Sequence, residues 1–84
     1  MAGPLWGKYR GVVTNSADPK KLGRVMVSVP AVTGNATAWA MPCVPYGGKR
    51  PSKREIPPVG TPVWVEFEGG DASRPIWVGR FWVE

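Results

Sequence analysis

Alternation of apolar and polar side chains dominates the chain, and no stretch carries a sustained helical period. Residues 63–68 show the alternation best, with Val63, Val65 and Phe67 on one side and polar or aromatic neighbours on the other. A period of two is typical of a strand with one buried face. The pattern predicts five strands, at residues 8–14, 24–29, 39–44, 63–68 and 76–82.

Turn-forming residues separate these segments and limit the architectures that they can build. Pro42 and Pro45 remove ladder hydrogen bonds, which predicts an edge or irregular third strand. Gly11 and Gly79 lie inside strands, where a small barrel would bend tightly. Five short, mostly antiparallel strands fit a five-stranded Greek-key barrel of the OB type better than a sandwich. We therefore predict an all-β chain with a single small domain over residues 1–84.

Composition supports folding but suggests a need for partners. A chain of 84 residues has a small core, so a domain of this size is marginal alone. Eleven Gly and ten Pro bring the chain close to compositions that are disordered. Twelve Val and five Trp nevertheless supply strong β-forming and apolar character, which favours burial. We expect the chain to fold and to gain stability by association.

The net charge is +5, and there is no His. A basic surface suits nucleic acid, a membrane surface or an acidic protein face, although this charge is equally typical of ordinary solubility. The single Cys43 lies in an apolar run, which predicts a buried, inert thiol. No leader-like segment or membrane-length run is evident, so synthesis in the cytoplasm is expected, with no membrane anchor.

The sequence contains no recognisable set of catalytic residues. Without His there is no Ser–His or Cys–His pair and no common zinc set. Glu66 and Glu68 could imitate a carboxylate pair, but we interpret them as the wet face of a strand, near Arg24 or Arg80. The sequence predicts no catalytic residue, no metal site and no cofactor.

Aromatic side chains are the first candidate binding feature. The alternation assigns Trp64, Trp77 and Phe81 to the outer face of the barrel, away from Val63, Val65, Ile76 and Val78. Exposed aromatic side chains in one zone form an apolar patch of the kind that marks an interface. The alternative is that some of them close the ends of the barrel.

A basic loop is the second candidate, with charges at Lys49, Arg50, Lys53 and Arg54. Basic residues beside an aromatic sheet suggest a single-stranded nucleic-acid-binding OB module, where bases stack on rings. These charges lie in a loop, however, and Glu66 and Glu68 would place negative charge beside Trp64. A solvated loop, or one that docks on an acidic protein surface, fits better.

Several segments resemble a known family in the right order. Residues 9–15, Asp18-Pro19 and residues 22–30 resemble the N-terminal OB domain of the baseplate central spike family. This family includes spike proteins of contractile-tailed phages and the valine-glycine-repeat spike proteins of type VI secretion. The likeness extends from about Lys8 to Trp82 through residues 39–42, 57–60, 63–71 and 74–79.

The resemblance implies a structural baseplate role. It implies a homotrimer on the tail axis that docks under a hub protein and carries the puncturing spike. Relatives also carry a lytic domain or a β-helical needle, which are not found before Glu84. We therefore expect a hub–spike connector with a separate spike-tip protein, located in a virion tail baseplate or an equivalent injection particle. Whether that particle is a phage tail, a tailocin or a secretion device stays open.

Overall fold

A computed structural model describes residues 4–44 and 56–82 of the chain. These residues form a small closed barrel of five strands, which confirms the predicted all-β OB fold. The strands are β1 (Tyr9–Asn15), β2 (Val25–Ser28), β3 (Thr37–Pro42), β4 (Pro62–Phe67) and β5 (Pro75–Arg80).

The strands close in the order β1-β2-β3-β5-β4. Strand β1 pairs antiparallel with both β2 and β4, where Val13 lies opposite Val27 and Gly11 lies opposite Val63. Strands β3 and β5 pair in parallel, and this short contact completes the ring. Each strand therefore has two neighbours, which removes the exposed edges that would invite aggregation.

The strand bounds differ most from the prediction at β3. This strand begins at Thr37 rather than at residue 39, because Thr37 and Ala38 pair with Ser28 and Val27 of β2. A one-turn helix, α1 (Pro30–Thr33), connects β2 to β3. It was not predicted, since a single turn is too short to establish a helical period.

The barrel interior is filled by alternate side chains of the strands, which confirms the inward positions predicted for Val63, Val65 and Phe67 of β4. The buried apolar residues are Val13, Val25, Val27, Val29, Ala40, Val63, Val65, Phe67 and Trp77. At Gly11 the strands approach so closely that an added Cβ would lie 2.9 Å from Val65 Cγ2 and 3.1 Å from the Ser28 carbonyl oxygen. Gly11 therefore permits β1 to cross the small core.

A β-bulge in β5 changes which side chains face outward. Val65 pairs with Trp77, but the preceding residue Trp64 pairs with Gly79, so Val78 is an extra residue in β5. Such an insertion reverses the inward and outward positions that follow it. Trp77, before the bulge, is only 5% exposed and lies in the core, whereas Phe81 follows the bulge. The prediction that Trp77 faces outward is wrong because Trp77 pairs with the buried Val65, whereas the bulge explains why Phe81 lies on the opposite face from Trp77.

Candidate interface surface

Three side chains from different strands meet on the outer face of the barrel: Arg10 of β1, Trp64 of β4 and Phe81, which follows β5. Arg10 and Trp64 are direct cross-strand neighbours. The backbone N–H of Phe81 donates a hydrogen bond of 3.3 Å to the carbonyl of Pro62, which holds Phe81 beside β4. We refer to Arg10, Trp64 and Phe81 as the aromatic surface.

The two rings and the guanidinium group pack closely. The centroids of Trp64 and Phe81 are 4.6 Å apart with an interplanar angle of 35°. The Arg10 Cζ atom lies 5.6 Å from the centroid of the Trp64 ring and 5.2 Å from that of Phe81. Each cation–π contact at an exposed site contributes roughly 0.5–1 kcal/mol, so the three groups stabilise one arrangement.

Further apolar side chains are exposed near the aromatic surface. Val12 is the next outward residue of β1 and pairs with Pro62, beside the aromatic surface. Trp82, which follows Phe81, is 87% exposed. Large aromatic and aliphatic groups left in water on a small protein mark a contact surface.

Two of the three predicted aromatic residues come together here, and the third lies on the opposite side of the sheet. Trp64 and Phe81 are in contact, but Trp77 points inward, and its Nε1–H donates a hydrogen bond of 3.2 Å to the Gly23 carbonyl. Sequence reasoning missed Arg10. Its place opposite Trp64 depends on the pairing of β1 with β4, which the alternation in each strand does not reveal.

The predicted docking loop lies outside the described residues. Its four charges, Lys49, Arg50, Lys53 and Arg54, fall in the segment 45–55.

The exposed carboxylates find partners other than the predicted Arg24 or Arg80. Glu66 lies 3.9 Å from the Lys8 ammonium. Glu68 lies 3.7 Å from the Arg74 guanidinium, and Asp71 lies 3.9 Å from the same group. These solvated pairs confirm that the two glutamates lie on a wet face.

Cys43 is exposed, so the prediction of a buried thiol is wrong. Strand β3 ends at Pro42, and only the backbone N–H of Cys43 is held, by the carbonyl of Trp77 at 3.0 Å. The apolar sequence around Cys43 suggested burial, but this residue lies just after β3 with its backbone still bonded to β5 and its side chain in solvent.

A second surface lies where β3 meets the start of β5. It is an open groove of about 230 Å³, which we call the Trp39 groove. Both Trp39 and the half-exposed Met41 line it on the β3 side. The remaining lining residues are Arg24, Glu68, Ser73, Arg74 and Pro75.

A family model described as the type VI secretion system/phage-baseplate injector OB domain matches residues 9–82, nearly the whole chain. The chain belongs to this family. The resemblance of residues 9–15 and 22–30 to baseplate spike proteins is thereby confirmed, together with the OB fold. A search of curated proteins found no match.

Membership in the injector OB family gives the chain a structural role in a phage baseplate or a related injection apparatus. Such a domain works through contacts with other baseplate or spike components. In the described part of the chain, no group of three or more His, Cys, Asp or Glu side chains could hold a metal ion. Within residues 4–44 and 56–82, no helix has the length and apolar character needed to cross a membrane.

A buried carboxylate organises the β1–β2 loop of this injector OB domain. Asp18 accepts hydrogen bonds from the backbone N–H groups of Lys20, Leu22 and Arg24 at 2.9–3.3 Å. The Arg24 guanidinium adds two bonds, at 2.8 and 3.1 Å, and stacks 5.2 Å from the Trp39 ring. The Arg24 hydrogen bonds, followed by the backbone ones, hold the pKa of Asp18 well below its usual range. This loop therefore supports one wall of the Trp39 groove.

Proposed function

We propose that this injector OB domain is a homotrimeric connector between the hub protein and a separate spike-tip protein of a contractile tail or related injection device. Family membership supports the baseplate setting. The observation that carries the proposal is the aromatic surface, because Trp64 and Phe81 are only partly buried in this barrel and the adjacent Trp82 is 87% exposed, so a neighbouring subunit would bury them further.

The size of the barrel supports association. Among the described residues, the hydrophobic core contains nine buried side chains, of which seven are Val or Ala. Burial of apolar area contributes roughly 25 cal/mol per Å², so covering Trp64, Phe81 and Trp82 adds stability that the small core lacks. A closed ring of three copies can cover these groups in every subunit.

Charge supports docking on an acidic partner. Three copies of a chain with net charge +5 carry +15 in total. A concentrated positive field accelerates encounter with a negative surface and selects against basic partners. The hub protein would then present an acidic face to the connector, with Lys49, Arg50, Lys53 and Arg54 as proposed contacts.

The closed barrel suits a part that transmits force and plugs the tube before contraction. Each of the five strands is hydrogen-bonded to two neighbours, so a load at one strand is shared around the ring. No catalytic step is required for this role.

The first test is light scattering after gel filtration of the wild-type protein, which should give the mass of a trimer. Trp64→Ala should shift the population toward monomer, because it removes the central ring of the aromatic surface. Lys49→Ala serves as the comparison and should weaken assembly less. A strictly monomeric wild type, with or without the hub protein, would contradict the proposal, and the reverse order of the two variants would contradict the assignment of the surface.

The alternative of single-stranded nucleic-acid binding uses the same rings and gains no support from their geometry. Trp64 and Phe81 pack against each other and under Arg10, so part of each ring face is already covered. Glu66 adds a carboxylate on the same face of β4. The alternative predicts oligonucleotide affinity that falls steeply with salt, and weak non-specific binding at moderate salt would dismiss it.

A further inference from the structure

Arg10 lies in the aromatic surface and has no ionic partner among the described residues. Its guanidinium stacks on Trp64 and Phe81, and no described carboxylate lies within ion-pair distance of it. Stacking covers the flat face of a guanidinium group, but the N–H donors along its edge can still form hydrogen bonds. When a neighbouring protein buries this surface, those donors need acceptors, because a buried charge without a partner is strongly destabilising.

This requirement excludes contact of the aromatic surface with itself. Two or three copies of the surface meeting around a symmetry axis would bring their Arg10 side chains together. Like charges at close range in an interface cost several kcal/mol. The surface must therefore meet a different face of the next copy, in the head-to-tail manner that can close into a ring.

Among the described carboxylates, those at the β4–β5 turn are best placed to receive Arg10. Asp18 is committed to Arg24 and is almost inaccessible, and Glu66 is paired with Lys8 beside the aromatic surface itself. Glu68 and Asp71 are both exposed and share the single cation Arg74. This turn therefore carries one negative charge more than its local cation neutralises.

The same turn borders apolar surface. Glu68 and Arg74 line the Trp39 groove beside Trp39 and Met41. The third charged residue that lines the groove, Arg24, is already neutralised by Asp18. The groove thus offers a surplus carboxylate next to exposed apolar groups, which complements a cation surrounded by aromatic rings.

Within one molecule these two groups are engaged elsewhere. Arg10 stacks on Trp64 and Phe81, and Glu68 lies 3.7 Å from the Arg74 guanidinium. Around the barrel, β5 separates the β4 side of the aromatic surface from the β3 wall of the groove. We therefore consider the pairing of Arg10 with Glu68 between two copies.

We propose, on the basis of the trimer suggested above, that Arg10 determines the specificity of the subunit contact by pairing with Glu68 at the Trp39 groove of the neighbouring copy. The aromatic rings then cover the apolar wall of that groove. Asp71 keeps Arg74 neutralised when Glu68 turns to Arg10.

The test is a charge exchange followed by light scattering and sedimentation equilibrium. Arg10→Glu should raise the dissociation constant of the trimer by about 30-fold or more, as expected when one partner of an interface ion pair is reversed. Glu68→Arg should have a similar effect. The double variant should recover most of the trimer, since it restores the pair with opposite polarity and keeps the net charge at +5.

Lys20→Glu is the matched control, because it makes the same change in charge on the exposed β1–β2 loop and should leave assembly unchanged. Circular dichroism should show that each variant keeps the fold, since the side chains of Arg10 and Glu68 lie at the surface.

Each outcome decides the proposal. A trimeric wild type with an unaffected Arg10→Glu variant rejects the contact but leaves the trimer in place. If both single variants dissociate and the double variant does not regain the trimer, Glu68 is not the partner of Arg10. A monomeric wild type rejects the trimer and the contact together.

Discussion

Trp77 is the residue for which local pattern and final position disagree most. It occupies a core otherwise built mainly of Val, and its indole N–H is bonded to the Gly23 carbonyl. This bond ties β5 to the end of the β1–β2 loop across the barrel. A buried Trp needs such an acceptor, because an unpaired donor in the core is costly.

We expect Trp77→Phe to lower the free energy of unfolding by about 2 kcal/mol, through the lost hydrogen bond and the smaller ring. Trp6→Phe makes the same chemical change at a site that is exposed and outside the aromatic surface, and it should alter stability by less than about 0.5 kcal/mol. Chemical denaturation of both variants measures the difference. Equal effects would show that Trp77 is not the buried ring described here.

At the scale of elements, the β1–β2 loop is built around one carboxylate. The Asp18 side chain is only 4% exposed, and its five hydrogen bonds engage three backbone N–H groups and Arg24. The loop contains Pro19 and two lysines, and these residues cannot hold it in place by apolar packing. Its conformation therefore depends on the ionised form of Asp18.

The lowered pKa of Asp18 predicts a pH dependence of stability. The stabilisation is complete above the ordinary pKa of an unfolded Asp, near 3.9, and is lost as the pH falls toward the lower folded value. Asp18→Asn should reduce stability at pH 7 by about 2 kcal/mol and flatten the loss below about pH 4.

Thermal unfolding of both proteins between pH 2 and pH 7 checks this prediction. Asp71→Asn is the comparison, because hydrogen bonds from Ser73 also lower the pKa of Asp71 but the group is half exposed. That variant should keep most of the acid-induced loss. A wild-type stability that does not change below pH 4 would contradict the role of Asp18.

In β5, the position of the strand in the chain was easier to predict than the face of the sheet on which each side chain lies. Its apolar and turn-forming residues predict a start at residue 76, and the strand begins at Pro75. The extra residue Val78 is decided by the register against β4, where Trp64 pairs with Gly79. Gly79 marks a bend in this strand but does not show that a residue is inserted before it, so Trp77 and Phe81 were assigned to the same face.

At the scale of the whole molecule, a proposed trimer links folding to assembly. If the folded barrel gains stability from its neighbours, mass action makes its unfolding temperature depend on protein concentration. We expect the wild-type Tm to rise by roughly 3–7 °C for each tenfold increase in concentration.

Scanning calorimetry over two decades of concentration would measure this effect. Trp64→Ala should show a much weaker dependence, because its subunits associate less. A wild-type Tm that stays constant across the range would indicate that the barrel folds and unfolds alone.

The approximate strand positions, the inward-facing residues of β4 and the family could all be predicted from the sequence. These properties depend on a period of two and on residues close together in the chain, such as Val63, Val65 and Phe67. The burial of Trp77, the exposure of Cys43 and the position of Arg10 over the rings of Trp64 and Phe81 follow only from the folded structure. Those outcomes depend on strand register and barrel closure, which are set by contacts between residues far apart in the chain.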